Sequence, residues 1–198
     1  MSNIVSYEEP FKKFAEWFNL ATSNSAIVEP TAMCLATVGA DNKPSARMIL
    51  LKSFDERGFC FFTNFNGRKA KEIAANRNVA LCFYWGVIGL QIRIEGSVEE
   101  VNKQEADDYF ATRRRGSQIG AWASKQSQIL NEAKDLKERI AIVEKKFTNQ
   151  QVTRPEFWSG YRVIPVAIEF WQEGDYRIHE RLLYSRVGEG WEVVRLYP

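Results

Sequence analysis

Arg47-Met48-Ile49-Leu50-Leu51-Lys52 reads as an extended strand with a cation at each end. Side chains alternate along a strand, so Arg47, Ile49 and Leu51 face one way and Met48, Leu50 and Lys52 the other. Both sets are mostly apolar, which predicts a central strand covered on both faces, where an unpaired charge costs roughly several kcal/mol. Either an anion lies against Arg47 or Lys52, or both carry their charged heads out to water from the strand ends.

Working outward, residues 32–38 form an apolar run of strand length, and Gly39 to Pro44 supplies the turn between the two. Asp55 to Gly58 turns the chain into a strand over 59–63, so three strands with short connections predict an antiparallel meander. Upstream, Phe11, Phe14, Ala15, Phe18 and Ala21 make one apolar stripe of a helix over 7–21, with Pro10 in its first turn. Downstream, a short helix over 68–76 opens on Arg68-Lys69, although a helix start carries the positive end of the dipole. Cations there fit an anion held by them and by free backbone N–H groups, or else a solvated basic helix.

Residues 79–85 read as another strand, and 91–98 alternate like a half-exposed one, with Gln91 either a ligand or a surface residue. A helix over 102–112 ends in Tyr109-Phe110. Arg113-Arg114-Arg115-Gly116-Ser117 follows, a phosphate grip or a solvated loop. Residues 117–127 follow neither period and read as a loop shaped around something. Ile129, Ala133, Leu136, Ile140, Val143 and Phe147 then mark a long amphipathic helix for core or dimer packing. Residues 157–161 read as an aromatic turn and 166–171 as a strand. In Arg177-Ile178-His179-Glu180-Arg181 a strand period places Arg177, His179 and Arg181 on one face, where neighbouring cations call for an anion or an electron-rich ligand. His179 is the single histidine in the chain, so imidazole chemistry must pass through this segment. A closing hairpin turns at Gly188-Glu189-Gly190.

The chain has 198 residues, 45% hydrophobic and 26% charged, enough for one domain with a substantial core. Its parts are an N-terminal helical segment (1–26), a helical insertion (102–147) and C-terminal strands (157–198). A net charge of +2 argues against a general nucleic-acid surface. Cys34, Cys60 and Cys82 form no C-x-x-C pair and fit reduced core thiols in a cytoplasmic protein. No run reaches the roughly eighteen apolar residues of a membrane span. No Ser-His-Asp pattern, metal-ligand cluster or P-loop is present.

Arg47 to Lys52, Arg68-Lys69, Ser117 to Ser127, Phe157-Trp158-Ser159-Gly160-Tyr161-Arg162 and Arg177 to Arg181 together resemble the pyridoxamine 5′-phosphate oxidase family, in its order and spacing, from about Pro30 onward. The resemblance implies a mainly β, Greek-key antiparallel split β-barrel with flanking helices, and a homodimer with FMN at its interface. The implied activity is oxidation of pyridoxine or pyridoxamine 5′-phosphate to pyridoxal 5′-phosphate by O2, releasing H2O2. FMN would be lined by Arg47, Met48, Ile49, Leu50, Leu51, Lys52, Phe62, Thr63, Arg68, Lys69 and Gln91, with Gln126, Ser127, Trp171 and Arg181 completing the site from the other subunit. Arg68 and Lys69 would hold the flavin phosphate. Lys52, Tyr109, Arg113 and Ser117 would hold the substrate phosphate, and Arg177, Ile178 and His179 would meet its ring, with Arg177 and His179 catalytic.

The chain departs from the family pattern in three places. Family members commonly carry a basic, tyrosine-containing segment that folds over bound substrate, where this chain has Met1 to Ser6 ahead of Tyr7. Gly86-Val87-Ile88-Gly89-Leu90 replaces a more polar stretch with an Arg beside the Gln, and Ile178 replaces a Leu. Two alternatives remain: a related split-barrel flavoenzyme with another substrate, which would not need Lys52, Tyr109, Arg113, Ser117, Arg177 and His179 together, and a protein that binds FMN or pyridoxal phosphate without turnover.

Overall fold

The computed structural model describes residues 3–198. Its spine is β8, Trp158–Gln172, a strand of 15 residues. β7, Leu90–Glu100, pairs with β8 along nearly its whole length. The other edge of β8 is shared, with β5 (Gly58–Asn64) on its first half and β9 (Glu180–Val187) on its second. β10 (Gly190–Arg195) and β1 (Asn3–Ser6) extend the sheet beyond β9, and β6 (Asn78–Trp85), β2 (Ala32–Val38) and β3 (Pro44–Leu50) extend it beyond β7. Every pairing is antiparallel. So long a strand must bend to wrap a core, and it does so where the β7–β8 register shifts between Glu95 and Gly96. Pro165 has no N–H to leave unpaired at that bulge. A Cβ on Gly96 would lie 2.1 Å from the Ile164 carbonyl oxygen, so only glycine permits the approach.

The expected meander does not form. β2 and β3 pair in register, but β5 leaves β3 and pairs with β8 and with the short β4, Ser53–Asp55. β3 therefore ends the sheet and is not a central strand. Its inward set, Ser45, Arg47 and Ile49, is half-buried, and its outward Met48 is 64% exposed. The apolar pattern on both faces is real, but this chain covers only one of them.

α1 (Glu9–Ser23) closes the open side of the sheet. Phe14 is fully buried, edge-on to Phe54, Phe59 and Phe83 at centroid distances of 4.7, 4.8 and 5.3 Å. Ahead of it, the Met1–Ser6 lead supplies β1, hydrogen-bonded to β10; Met1 and Ser2 lie outside the described residues.

α2 spans Arg68–Ala75 and α3 Lys103–Thr112. The stretch expected to be a loop at 117–127 is mostly helix, α4, Arg115–Ala123. Its polar groups are satisfied outside the helix: Gln118 Nε2 donates to the Phe110 carbonyl at 2.9 Å and Trp122 Nε1 to the Thr153 carbonyl at 2.7 Å. Burying polar side chains in this way erases the amphipathic period. α5, Ala133–Lys146, begins after Ile129, which is exposed outside it. The expected aromatic turn at 157–161 is the start of β8, with Trp158 and Tyr161 buried.

Phe14→Ala is expected to lower unfolding free energy by about 3–5 kcal/mol, because the cavity cannot collapse among aromatic rings. Urea titration of the variant tests this; a loss under about 1 kcal/mol would show that α1 is not integral to the core.

Candidate active site

Two groups of predicted site residues assemble in one chain, at opposite ends of β8. The first gathers around α2 and the end of β5. The α2 N-terminus has Gly67 as its cap, no side-chain capping bond and no acid in its first turn, so its free N–H groups face outward. Lys69 Nζ donates to Thr63 Oγ1 at 3.2 Å and to Gln126 Oε1 at 3.1 Å, and Thr63 Oγ1 donates to Gln126 Oε1 at 3.2 Å. Burial, and then the neighbouring Arg47 charge, push the Lys69 ammonium below its usual range. A half-buried ammonium with neutral partners favours an incoming anion. Arg68, Gln126 and Ser127 line a cleft beside it. Gln126 and Ser127 thus belong with Thr63, Arg68 and Lys69 of their own chain, which corrects the expectation that the partner supplies them.

Arg47 and Arg68 meet a resident anion. Glu72, buried on α2, accepts from Arg47 Nη2 at 2.9 Å, Arg68 Nε at 2.7 Å, Thr37 Oγ1 at 2.6 Å and Ser45 Oγ at 2.7 Å. Arg47 also bonds Thr37 and Ser45 directly. Burial pushes the Glu72 carboxyl up, and the bonds from Thr37, Ser45, Arg68 and Arg47 more than reverse this, lowering it from 4.5 to about 2. The charge demanded by Arg47 is therefore met inside the chain. Sequence reasoning missed Glu72, although its place four residues after Arg68 is a standard helix pairing.

Beyond this cleft, aromatic rings stack. Phe62 lies on Tyr109 at 4.0 Å and on Trp158 at 5.5 Å between centroids. The Arg113 guanidinium sits 4.6 Å over the Trp158 ring. Its Nη1 is the one buried side-chain nitrogen or oxygen among the described residues without a hydrogen-bond partner. Burial also pushes Arg113 below its usual range and the Tyr109 hydroxyl above its own. Ser117 is exposed in the first turn of α4, and Lys52, also exposed, is tied by its N–H to the Cys60 carbonyl on β5.

The second group lies on β7, β8 and β9. Gln91, Trp171 and Arg181 are register partners across the three strands and form one row. Gln91 therefore belongs with Trp171 and Arg181, not with Lys69. Arg177, His179 and Arg181 do not share a strand face: β9 begins at Glu180, and Asp175–Arg177 is a 3₁₀ turn with Tyr176 and Arg177 at φ of 55° and 65°. Alternation needs extended backbone, and left-handed residues break it. His179 lies against Trp171 at 4.6 Å, and its Nδ1 accepts from the Gly174 N–H at 3.3 Å. That bond leaves Nε2 to carry the proton of the neutral ring. Arg177 and Ile178 are exposed beside it.

Trp158 and Trp171 stand near the two ends of β8, so the Arg113 and His179 groups lie at different ends of this strand.

The architecture is that of an antiparallel split barrel carrying two basic clusters. A family model for pyridoxamine 5′-phosphate oxidase matches residues 21–147, and one for the pyridoxine 5′-phosphate oxidase C-terminal dimerisation region matches 158–198. The chain belongs to the pyridoxamine 5′-phosphate oxidase family. It is 52% identical over 190 residues to a pyridoxine/pyridoxamine 5′-phosphate oxidase of Rubrobacter xylanophilus, covering 96% of this chain and 87% of that one. It is 51% identical to one of Myxococcus xanthus, covering 96% and 92%. Among solved structures, PhzG from Burkholderia lata, in complex with tetrahydrophenazine-1-carboxylic acid, superposes with a TM-score of 0.90 at 31% identity, covering 96% of this chain and 92% of that one. An FMN-binding, pyridoxamine 5′-phosphate oxidase-related protein from Nostoc punctiforme shares the fold, with a TM-score of 0.75 at 15% identity over 96% and 98%. No helix of the described residues is long and apolar enough to cross a membrane.

The Glu72 network predicts an acid-dependent stability. A carboxyl lowered on folding stabilises fully above its unfolded value of 4.5 and loses that contribution as pH falls toward about 2. Glu72→Gln is expected to unfold more easily than the parent at pH 6, with the gap narrowing below about pH 4.5. Paired denaturant titrations from pH 6 to 3 check it, and a pH-independent gap would contradict the ionised network.

Proposed function

We propose that this protein is an FMN-dependent oxidase that converts pyridoxine 5′-phosphate or pyridoxamine 5′-phosphate to pyridoxal 5′-phosphate with O2, producing H2O2 and, from the amine, ammonia. The observation that carries the substrate class is Arg113 Nη1, buried over Trp158 and lacking a partner beside the Tyr109 hydroxyl. A buried donor of this kind is costly unless a ligand completes it, and a phosphate dianion does so with charge-assisted bonds. Lys52 and Ser117 add a second charge and a hydroxyl.

The α2 cleft fits the FMN phosphate: Lys69 has only neutral partners, and the helix start has free N–H groups and no acid. Arg68 and Ser127 would flank that phosphate, while Glu72 fixes Arg47 and Arg68 in place. Arg47 to Lys52 and Phe62 would line the same half, and Gln91, Trp171 and Arg181 the other. Bound FMN would supply the two-electron oxidation and pass the electrons to O2. The chain's own task is to hold the pyridine ring flat at close approach, using binding energy from a phosphate remote from the reacting carbon. Arg177 would stabilise charge on the ring's phenolic oxygen. His179, held by Gly174 and Trp171, would offer its Nε2–H as an orienting donor.

With the Arg113 and His179 groups near different ends of β8, the proposed active site is built from two copies of the chain. Antiparallel copies related by a two-fold axis would bring the Arg113 end of one against the His179 end of the other. The outward face of β3 and β6, with Met48 and Tyr84 64% and 66% exposed, is apolar surface that a second copy would cover. The C-terminal dimerisation match supports a homodimer.

Purified protein is expected to show a flavin band that bleaches on anaerobic pyridoxine 5′-phosphate and returns with air alongside pyridoxal phosphate. A band unmoved by the substrate would favour a relative acting on another small molecule, or a binding protein. Arg113→Ala and His179→Ala should each retain flavin and lose most turnover. Mixed after dissociation and reassociation, they should recover about a quarter of parent activity, since half of the dimers carry one intact site. No recovery from reassociated dimers would place both residues in the same subunit's site.

A further inference from the structure

We infer that Glu169 is a positioning residue for the flavin contact of Arg181; the inference rests on the reading of Arg181 as a flavin ligand. Glu169 is a buried acid in the second half of β8, between Ile168 and Phe170, both of which pack in the core. It lies two residues before Trp171 and so on the same sheet face. Its Oε1 accepts from Arg181 Nε at 2.7 Å and its Oε2 from Arg93 Nη1 at 3.1 Å. Arg93 is its register partner on β7, and Arg93 also reaches the exposed Glu95 at 3.0 Å.

These contacts leave Arg181 little freedom. Nε is held by Glu169, and Nη1 donates to the Tyr197 carbonyl at 3.1 Å. The Leu196 N–H closes the arrangement by donating to the Arg181 carbonyl at 3.0 Å. A guanidinium is planar, so fixing two of its three nitrogens fixes the third. Nη2 is then the nitrogen with both N–H groups left for a ligand, in a row with Gln91 and Trp171. Glu169 also offsets the repulsion between Arg93 and Arg181, which would otherwise drive the Arg181 head away from this face. Neither Arg93 nor Glu169 needs to touch the ligand for the carboxylate to determine where Arg181 points.

A carboxylate that merely ties β8 to β9 would show the same bonds, so the test must read coupling on flavin affinity. Full-length protein stripped of flavin is titrated with FMN, following flavin fluorescence, for the parent, Glu169→Gln, Arg181→Ala and the double variant, with a thermal melt of each. Glu169→Gln is expected to weaken FMN binding about tenfold, and the double variant to bind no more weakly than Arg181→Ala alone. Additive losses, or parent affinity in Glu169→Gln, would overturn the inference. Parent affinity in Arg181→Ala would instead remove Arg181 from the flavin site, and the inference with it. Arg93→Leu removes the other partner of Glu169 and should leave affinity within about twofold of the parent; a tenfold loss there would assign the effect to the whole charge cluster. If Glu169→Gln does not fold, Glu169→Asp takes its place, keeping the charge but drawing it back from Nε.

Discussion

The pairing of β8 is the constraint from which the rest follows. One continuous strand takes β7 along one edge and divides the other between β5 and β9. Its length buries Val163, Ile168 and Phe170 in a shared core. The same length carries Trp158 with the Arg113 end and Trp171 with the His179 end. The strand that organises the fold thereby keeps the Arg113 and His179 groups apart within one chain. The bulge at Gly96 and Pro165 lets the strand curve, and Pro165 brings no N–H that would need a partner there.

Both half-sites follow the same electrostatic rule. Arginine is costly to bury without a counter-charge, and each half provides a buried carboxylate: Glu72 for Arg47 and Arg68, Glu169 for Arg93 and Arg181. Such carboxylates lock long side chains into one geometry before a ligand arrives, lowering the ordering cost of binding. Arg113 and Lys69 are treated differently. Each is partly desolvated with no carboxylate partner, so a buried cationic donor remains to be completed. In the proposed site the clamped arginines would supply shape, and the uncompensated cations affinity for phosphate.

Much of this was legible in the residues. The strands at 32–38, 59–63 and 79–85 and the helices beginning near 9, 68 and 103 follow from period and punctuation, which are local properties. The basic start of α2 runs against the helix dipole, and the structure sets Glu72 against Arg68 while leaving Lys69 with neutral partners. Family resemblance brought the remaining candidates together. The errors have a common origin. β3 carries an apolar pattern on both faces but is covered by its own chain on only one. α4 hides its helix period because Gln118 and Trp122 find partners on other segments. Arg177, His179 and Arg181 alternate as letters, but Tyr176 and Arg177 adopt left-handed backbone.

By itself, the sequence determined the alternation of strands and helices, the positions of their turns, and the kinds of groups available to hold a phosphate, since each depends on neighbours a few residues away. Tertiary structure alone decided that β5 crosses to β8, that Glu72 and Glu169 are the partners of the arginines, that Gln126 sits beside Lys69 of its own chain, and that the two half-sites stand at opposite ends of one strand. Those are distances between residues far apart in the chain, and they are set by which surfaces bury together, a quantity that no local pattern contains.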